Sequence, residues 1–585
     1  MKKEKTEEKM INDYKNRVEF MVDAITESLF DYSSDSLKVP ALNFHFLCEE
    51  FLLTHRAWER GEISKGNLIP LIEEIEANIK RNHVSSKKIR AIFDSFYDAS
   101  GKLNKIPNDI DFKIKHYKLN IDLLQEIFAT DFYYLNTLKN KIIECIFGDE
   151  WETQKQDECY LCIRDLLVEL INYGTSKSSL YYQTLKFSEK ISHAEFTRED
   201  IEIFFDCIMP KEKSYDVILG VSDEAYYLLK PFLKNFRKAN QKEKSKLKSN
   251  YVIAFTNVEN LDVCSAIQKQ KKFLYSLSTA INFNKHSINI VISSGGFAKE
   301  KKEEKFSFVK DPVNSLVKNK NKTESANKEF VKTFIKNISN ISEMARVFEL
   351  HDSALSSNEQ TNQLLNLWTI IEILIEMPQD SMDKINHICN VLVSVLNKNY
   401  LLDYVDKLYC DINKEVNIDD ILNSQVNGET KIEKFVAILF NKGEGYKEII
   451  NRVGKNCLYV YRVKKFAEQV FYSSENLYEF MENHSKRLRW HIMRIYRNRC
   501  MIVHNGDNMP YIESILENLH YYVDVLIEFL FDSYKNKHYF NAAAYQEARA
   551  LDSCRKNILL DANKKEIKYL PLSEENLIQY VFNKF

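Results

Sequence analysis

Thirteen glycines and nine prolines are all that 585 residues contain, and this scarcity is the tightest constraint on the fold. Tight connections between strands draw on residues that accept positive φ or fix φ near −65°. A chain so poor in them cannot be a sandwich or barrel of many short strands. With 44% hydrophobic and 28% charged residues, it also lacks the signature of disorder. The composition predicts a mainly α protein, and the length exceeds what one core organises, so several domains are expected.

Formal net charge is −2, so no global cationic field recruits nucleic acid, and any such contact must come from a local cluster. The eleven cysteines are scattered and odd in number. With the charged opening MKKEKTEEKM and no secretory signal, they point to reduced thiols in a cytoplasmic protein. Cys159 and Cys162 form an isolated C-x2-C inside a helical run, lack a second pair or a histidine at zinc spacing, and read as buried thiols. No metal and no cofactor is expected. The most apolar stretch, YYVDVLIEFLF at 521–531, carries Asp524 and Glu528 and falls short of the ~20 apolar residues of a membrane span. It reads as a buried amphipathic helix, and no membrane partner is expected.

Helical spacing runs through the first 205 residues, as in Phe44, Leu47 and Phe51 or Ile163, Leu166, Leu167 and Leu170. Between 206 and 317 the texture changes. The β-rich runs YDVILGV (215–221), NYVIAFT (250–256) and SINIVISSGG (287–296), with a helix from Asp262 to Ala280, predict a small central α/β module. The basic segment RKANQKEKSKLKSN (237–250) reads as an exposed, solvated loop. SSGG at 293–296 follows a strand but lacks the Lys and Ser/Thr of a phosphate-binding loop. A polar linker is expected at 318–329. A helical bundle follows at 330–540, with a helical extension at 541–585. Within the bundle, NQLLNLWTIIEILIE (362–376) predicts a helix whose inward face carries Leu365, Trp368 and Ile371 or Glu372. His351 and Asp352 read as surface or capping residues. No repeat of fixed period is present.

The stretch HSKRLRWHIMRIYRNRCMIVH at 484–504 concentrates the chain's basic residues. Leu488, Ile492, Ile495 and Ile502 form one helical face, with Arg487, His491, Arg494 and Arg497 largely on other sides. Asn505 and Gly506 are helix-stop residues, and Pro510 suits the first turn of the next helix. His504 falls in the last turn, where the helix dipole favours a cation. Arg497 returns to within roughly 20° of the His504 direction on a 3.6-residue helix, whereas Arg499 lies roughly 140° away.

YRNRCMIVHNG (496–506) resembles the signature of HEPN-domain ribonucleases: an Arg, four to six residues, then His, with a polar residue after the Arg and an aliphatic pair before the His. ALSSNEQTNQLLNLWTIIEIL (354–374) resembles the upstream helix of the ApeA-like branch found in bacterial abortive-infection proteins, with Glu372 at its acidic position. The likeness covers roughly residues 330–535 and leaves the first 325 unassigned. Arg499 and His504 match the four-residue form, with Cys500 where the family has a polar side chain. Arg497, followed by Asn498, gives the six-residue form, and either arginine fits.

The resemblance implies metal-independent RNA cleavage, with His504 in proton transfer, Arg499 or Arg497 on the phosphoryl oxygens, and Asn498 or Asn505 orienting either group. It implies a homodimer through the HEPN domain, single-stranded RNA as substrate, and Lys486, Arg487, Arg489 and Arg494 lining the cleft. Glu372 reads first as an ion-pair partner that positions an arginine. The implied setting is anti-phage defence, with the N-terminal half as sensor or regulator, responding to a phage-derived trigger. Two other readings fit the same residues: a non-catalytic RNA-binding or dimerisation module, and a toxin held by an antitoxin.

Overall fold

The computed structural model describes residues 2–29, 42–81, 91–92, 109–130, 132–193, 197–282, 291–310, 342–357, 359–376, 384–425, 429–454, 457–506, 511–537, 542–561 and 568–585. The chain is mainly helical with one small antiparallel sheet, the mainly α multidomain class that the composition predicts. It divides into two compact units: Met1–Val168 with Lys318–Phe585, and Glu169–Val317 between them. The N-terminal helices therefore belong to the same body as the C-terminal bundle. The polar linker expected at 318–329 and the helix start expected at Pro510 lie outside the described residues.

In the inserted unit, β1 (Lys213–Val221) is the central strand of the order β2-β3-β1-β4-β5. Here β2 is Phe236–Lys238, β3 Tyr251–Asn260, β4 Ile292–Glu300 and β5 Ser307–Val309. Both β3 and β4 pair antiparallel with β1, so they run parallel to each other and are joined by the helix Val263–Asn282. Because β1 is covered on both faces, it reads as a continuous apolar run. Val217, Leu219 and Val221 face one cluster and Ile218 the other.

The basic segment at 237–250 is a correction to the expected loop. It forms β2 and a short helix, Gln241–Leu247, with an Asn240–Glu243 capping box. The reason is a half-open sheet face. Leu247 plugs the Ile218 cluster, and the ammonium groups of Lys242 and Lys246 lie 5.7 and 5.8 Å from the ring centres of Phe297 and Phe308. The SSGG stretch is explained by close packing. A Cβ on Gly295 would come within 2.7 Å of the Val309 carbonyl, and one on Gly296 within 2.9 Å of Leu219.

In the larger unit the expected single helix over 354–374 is two, Ser342–Ser356 and Gln360–Leu374. Trp368 and Ile371 are buried as predicted, but Leu364 and Leu367, rather than Leu365, complete the inner face. N-terminal and C-terminal parts are tied by buried polar contacts. Glu27 meets the Arg462 guanidinium at 2.6 Å, and the Phe20 and Tyr461 rings pack edge to face at 5.7 Å. Cys159 and Cys162 are buried thiols.

Candidate functional site

The helix Ser474–Asn505 carries the basic motif through 32 residues, about 48 Å at 1.5 Å per residue. It begins where the Ser473 hydroxyl accepts the Asn476 amide at 3.2 Å. It ends at Gly506, whose φ of +72° is left-handed and whose amide donates to the Ile502 carbonyl. The Asn-Gly stop is thus realised, and Leu488, Ile492, Ile495 and Ile502 are buried as expected.

This helix is buried on more than its apolar face. His491, Arg494, Arg497 and Asn498 are also inside, and the charges among them are matched. Arg497 donates through Nη2 and Nε to Glu50 Oε1 at 2.7 and 3.2 Å. Arg494 donates through Nε to Glu50 Oε2 at 2.8 Å and through Nη2 to Glu74 Oε2 at 2.5 Å. Burial alone would raise the Glu50 carboxyl, but the Arg494 and Arg497 guanidiniums outweigh it and hold its pKa below the ordinary value. Glu74, engaged by one arginine, is pushed up by burial despite Arg494.

These contacts correct three assignments. Arg497 is fully buried and committed to Glu50, so a phosphate cannot reach its guanidinium fork. The Asn498 side chain donates to the Arg494 carbonyl at 3.1 Å inside the same packing. Arg494, expected to line an RNA cleft, is the second buried arm of the Glu50 pair. An apolar stripe fixes only one face of a helix, and here helices Phe44–Glu59 and Leu68–Arg81 cover another.

His491 is neutral in this setting. Burial, reinforced by the nearby Arg494 charge, pulls its pKa down to about 3. Nε2 lies 3.3 Å from the Asn518 amide nitrogen, which can only donate, so the ring proton sits on Nδ1 and faces the Tyr522 hydroxyl at 3.3 Å.

The last turn is different. Arg499 is half-buried; its side chain bonds the Cys500 thiol, and no carboxylate among the described residues lies within ion-pair distance of it. His504 and Asn505 are exposed. Beside them sits Glu62, which accepts from Arg60 Nε and Nη2 at 2.5 and 3.0 Å and from the Asn505 side chain. The Arg60 hydrogen bonds, then that of Asn505, hold the Glu62 carboxyl below its usual range, with a smaller contribution from His504. Arg60 caps helix Phe44–Glu59, and Gly61, with φ of +76°, turns the chain so that Glu62 reaches the motif's end. Helix-stop residues in WERGE mark this turn in the sequence, but not its neighbour.

Glu372 is a further correction. It accepts from Trp368 Nε1 at 3.0 Å and pairs with Lys384 at 3.2 Å rather than with an arginine, although its charge reaches the buried Cys500 thiol. His351 pairs with Asp524 at 3.3 Å.

Lys486 is exposed, Arg487 half-buried, and Arg489 bonds the side chains of Asn386 and Asn390. Lys486 and Arg489 stand about 22–27 Å from His504 along the axis. They line a separate cavity, not the surroundings of the histidine.

No family model matches this chain, and neither the curated proteins nor the solved structures contain a match. Among the described residues no helix is long and apolar enough to cross a membrane.

Proposed function

We propose that this chain is a metal-independent endoribonuclease of the HEPN type, acting on single-stranded RNA. The observation that carries the reading is the division of labour among the motif's basic residues. Arg494 and Arg497 are paired inside with Glu50 and Glu74, while Arg499 is without a carboxylate partner among the described residues and His504 and Asn505 face solvent.

His504 takes the proton of a ribose 2′-OH as the general base. The 2′-oxygen attacks phosphorus, the bond to the 5′-oxygen breaks, and that oxygen leaves as a 5′-hydroxyl by taking up the proton that the imidazole acquired. The other fragment ends in a 2′,3′-cyclic phosphate. Arg499 holds the non-bridging oxygens through its planar donors. Glu62 and Asn505 position His504 without touching the substrate.

Arg499 and His504 are five residues apart, hence roughly 140° apart around the helix. One helix aims them at different sides. Two copies of the chain, apposed at this helix end, place the arginine of one protomer near the histidine of the other, and the active species is a homodimer. By resemblance, the setting is anti-phage abortive infection in the cytoplasm. The N-terminal helices brace the site helix through Glu50 and Glu74 and thereby link any trigger to it.

The test is cleavage of end-labelled single-stranded RNA in EDTA. The parent protein yields 2′,3′-cyclic phosphate ends and His504→Ala yields none. Equal cleavage by the two would overturn the reading.

A further inference from the structure

Away from the motif's end, helices Lys384–Asn397, Ser474–Asn505, Ala542–Leu559 and Glu574–Phe582 border a partly open cavity of about 220 Å³. That is room for roughly seven waters at about 30 Å³ each, or for one molecule of sugar-phosphate size. Its lining has four cationic side chains against two carboxylates. The carboxylates have cation partners: Glu482 pairs with Lys556 at 2.9 Å, and Asp552 lies 3.8 Å from Arg555. Lys486 and Arg489 have no carboxylate within ion-pair distance among the described residues, and Arg489 meets only neutral asparagine oxygens.

The deeper wall is built and incompletely satisfied. Arg555 is almost fully buried; its Nη1 donates to the Asn397 carbonyl at 2.8 Å and its Nη2 to the Lys398 carbonyl. Its guanidinium lies 5.5 Å from the Tyr580 ring centre. Its Nε is buried with no protein acceptor. Asn397, equally buried, donates to the Ser485 hydroxyl at 2.9 Å, while its Oδ1 has no protein donor. Buried polar atoms are matched in folded proteins by protein, water or ligand. Here a lone N–H and a lone carbonyl oxygen belong to two residues lining the same cavity.

We propose that this cavity binds a small phosphate monoester that also carries hydroxyl groups. The dianionic phosphate lies against Lys486 and Arg489 at the solvent-facing side, and the hydroxyl-bearing end lies toward the wall that Asn397 and Arg555 form. A neutral sugar lacks the charge that the lysine and arginine select, and bare phosphate lacks the reach to the deeper wall.

The experiment is calorimetric titration of the full chain with ribose 5-phosphate, ribose and inorganic phosphate, repeated on the Lys486→Ala/Arg489→Ala double variant. The ester is expected to bind saturably, and at least tenfold more tightly than phosphate. Ribose gives no heat, and the double variant loses at least tenfold in affinity while keeping the parent's melting temperature. Ester binding weaker than about 1 mM, equal affinity in the double variant, or phosphate binding as tight as the ester would each overturn the proposal. Binding is read without cleavage, so this site stands or falls apart from the nuclease reading.

Discussion

The carboxylate of Glu50 and the guanidinium of Arg497 lie 2.7 Å apart with neither side chain exposed to solvent, although 447 residues separate them in the chain. An ion pair so placed makes the first helices of the chain part of the scaffold of the motif helix. It also removes from chemistry the arginine that the sequence offers as an alternative to Arg499.

Truncating one partner of a buried pair strands the other charge. Glu50→Ala leaves two buried guanidiniums with only Glu74 between them, and is expected to destabilise the larger unit by about 3–5 kcal/mol. Glu50→Gln keeps hydrogen-bonding capacity and costs less. The folded Glu50 pKa lies below its ordinary value of 4.5. The pair's contribution is therefore complete above that value and is lost as pH falls through the lower, folded one. Urea unfolding followed between neutral pH and pH 3 should show this acid loss in the parent and a smaller one in Glu50→Gln. Identical profiles would mean that the pair does not act as described.

His491 gives a second acid sensitivity with a different window. Its folded pKa of about 3 lies below the ordinary 6.5, so the unfolded chain takes up a proton that the folded chain refuses. Stability then falls as pH drops below 6.5 and continues to fall toward 3. Between pH 6.5 and 5 the loss is about 2 kcal/mol at 1.36 kcal/mol per unit. Replacing the ring in His491→Gln should flatten that part of the pH–stability curve, even if it lowers stability overall. An unchanged slope between pH 6.5 and 5 would show that the histidine is protonated in the folded protein.

A composite site makes a mixing prediction. Arg499→Ala and His504→Ala are each inactive alone. After co-refolding or subunit exchange, the mixed dimer retains one intact arginine–histidine set and recovers up to half of the parent rate per mixed dimer. RNA cleavage assayed before and after mixing reads this directly. Failure to recover activity, with exchange verified by differently tagged chains, would place both residues of a working site on one protomer.

Much of the motif helix was legible in the sequence. The apolar spacing of Leu488, Ile492, Ile495 and Ile502 located its inner face, and Asn505-Gly506 its end. Periodicity could not reveal that polar residues on the remaining sides are also inside, because their burial depends on Glu50 and Glu74, hundreds of residues away. A signal did exist at the other end of that contact. Glu50 sits three residues after Leu47 and four before Thr54, on the stripe that buries Phe44, Leu47 and Phe51. A carboxylate on such a stripe calls for a buried cation. The sequence did not disclose which cation. The same limit applies to 237–250, where the basic side chains are exposed as the charge composition suggested, but the backbone is a short helix that buries Glu243 and Leu247 rather than a loop.

The most direct test of the account compares Arg499→Ala with Arg497→Ala in two readouts, RNA cleavage in EDTA and melting temperature. Arg499→Ala should lose cleavage by at least about a hundredfold, the scale of a lost transition-state donor, with its melting temperature unchanged. Arg497→Ala should melt at a clearly lower temperature, because Glu50 loses its fully buried partner. If Arg499→Ala cleaves RNA as fast as the parent, the assignment of chemistry to the exposed end of this helix is wrong.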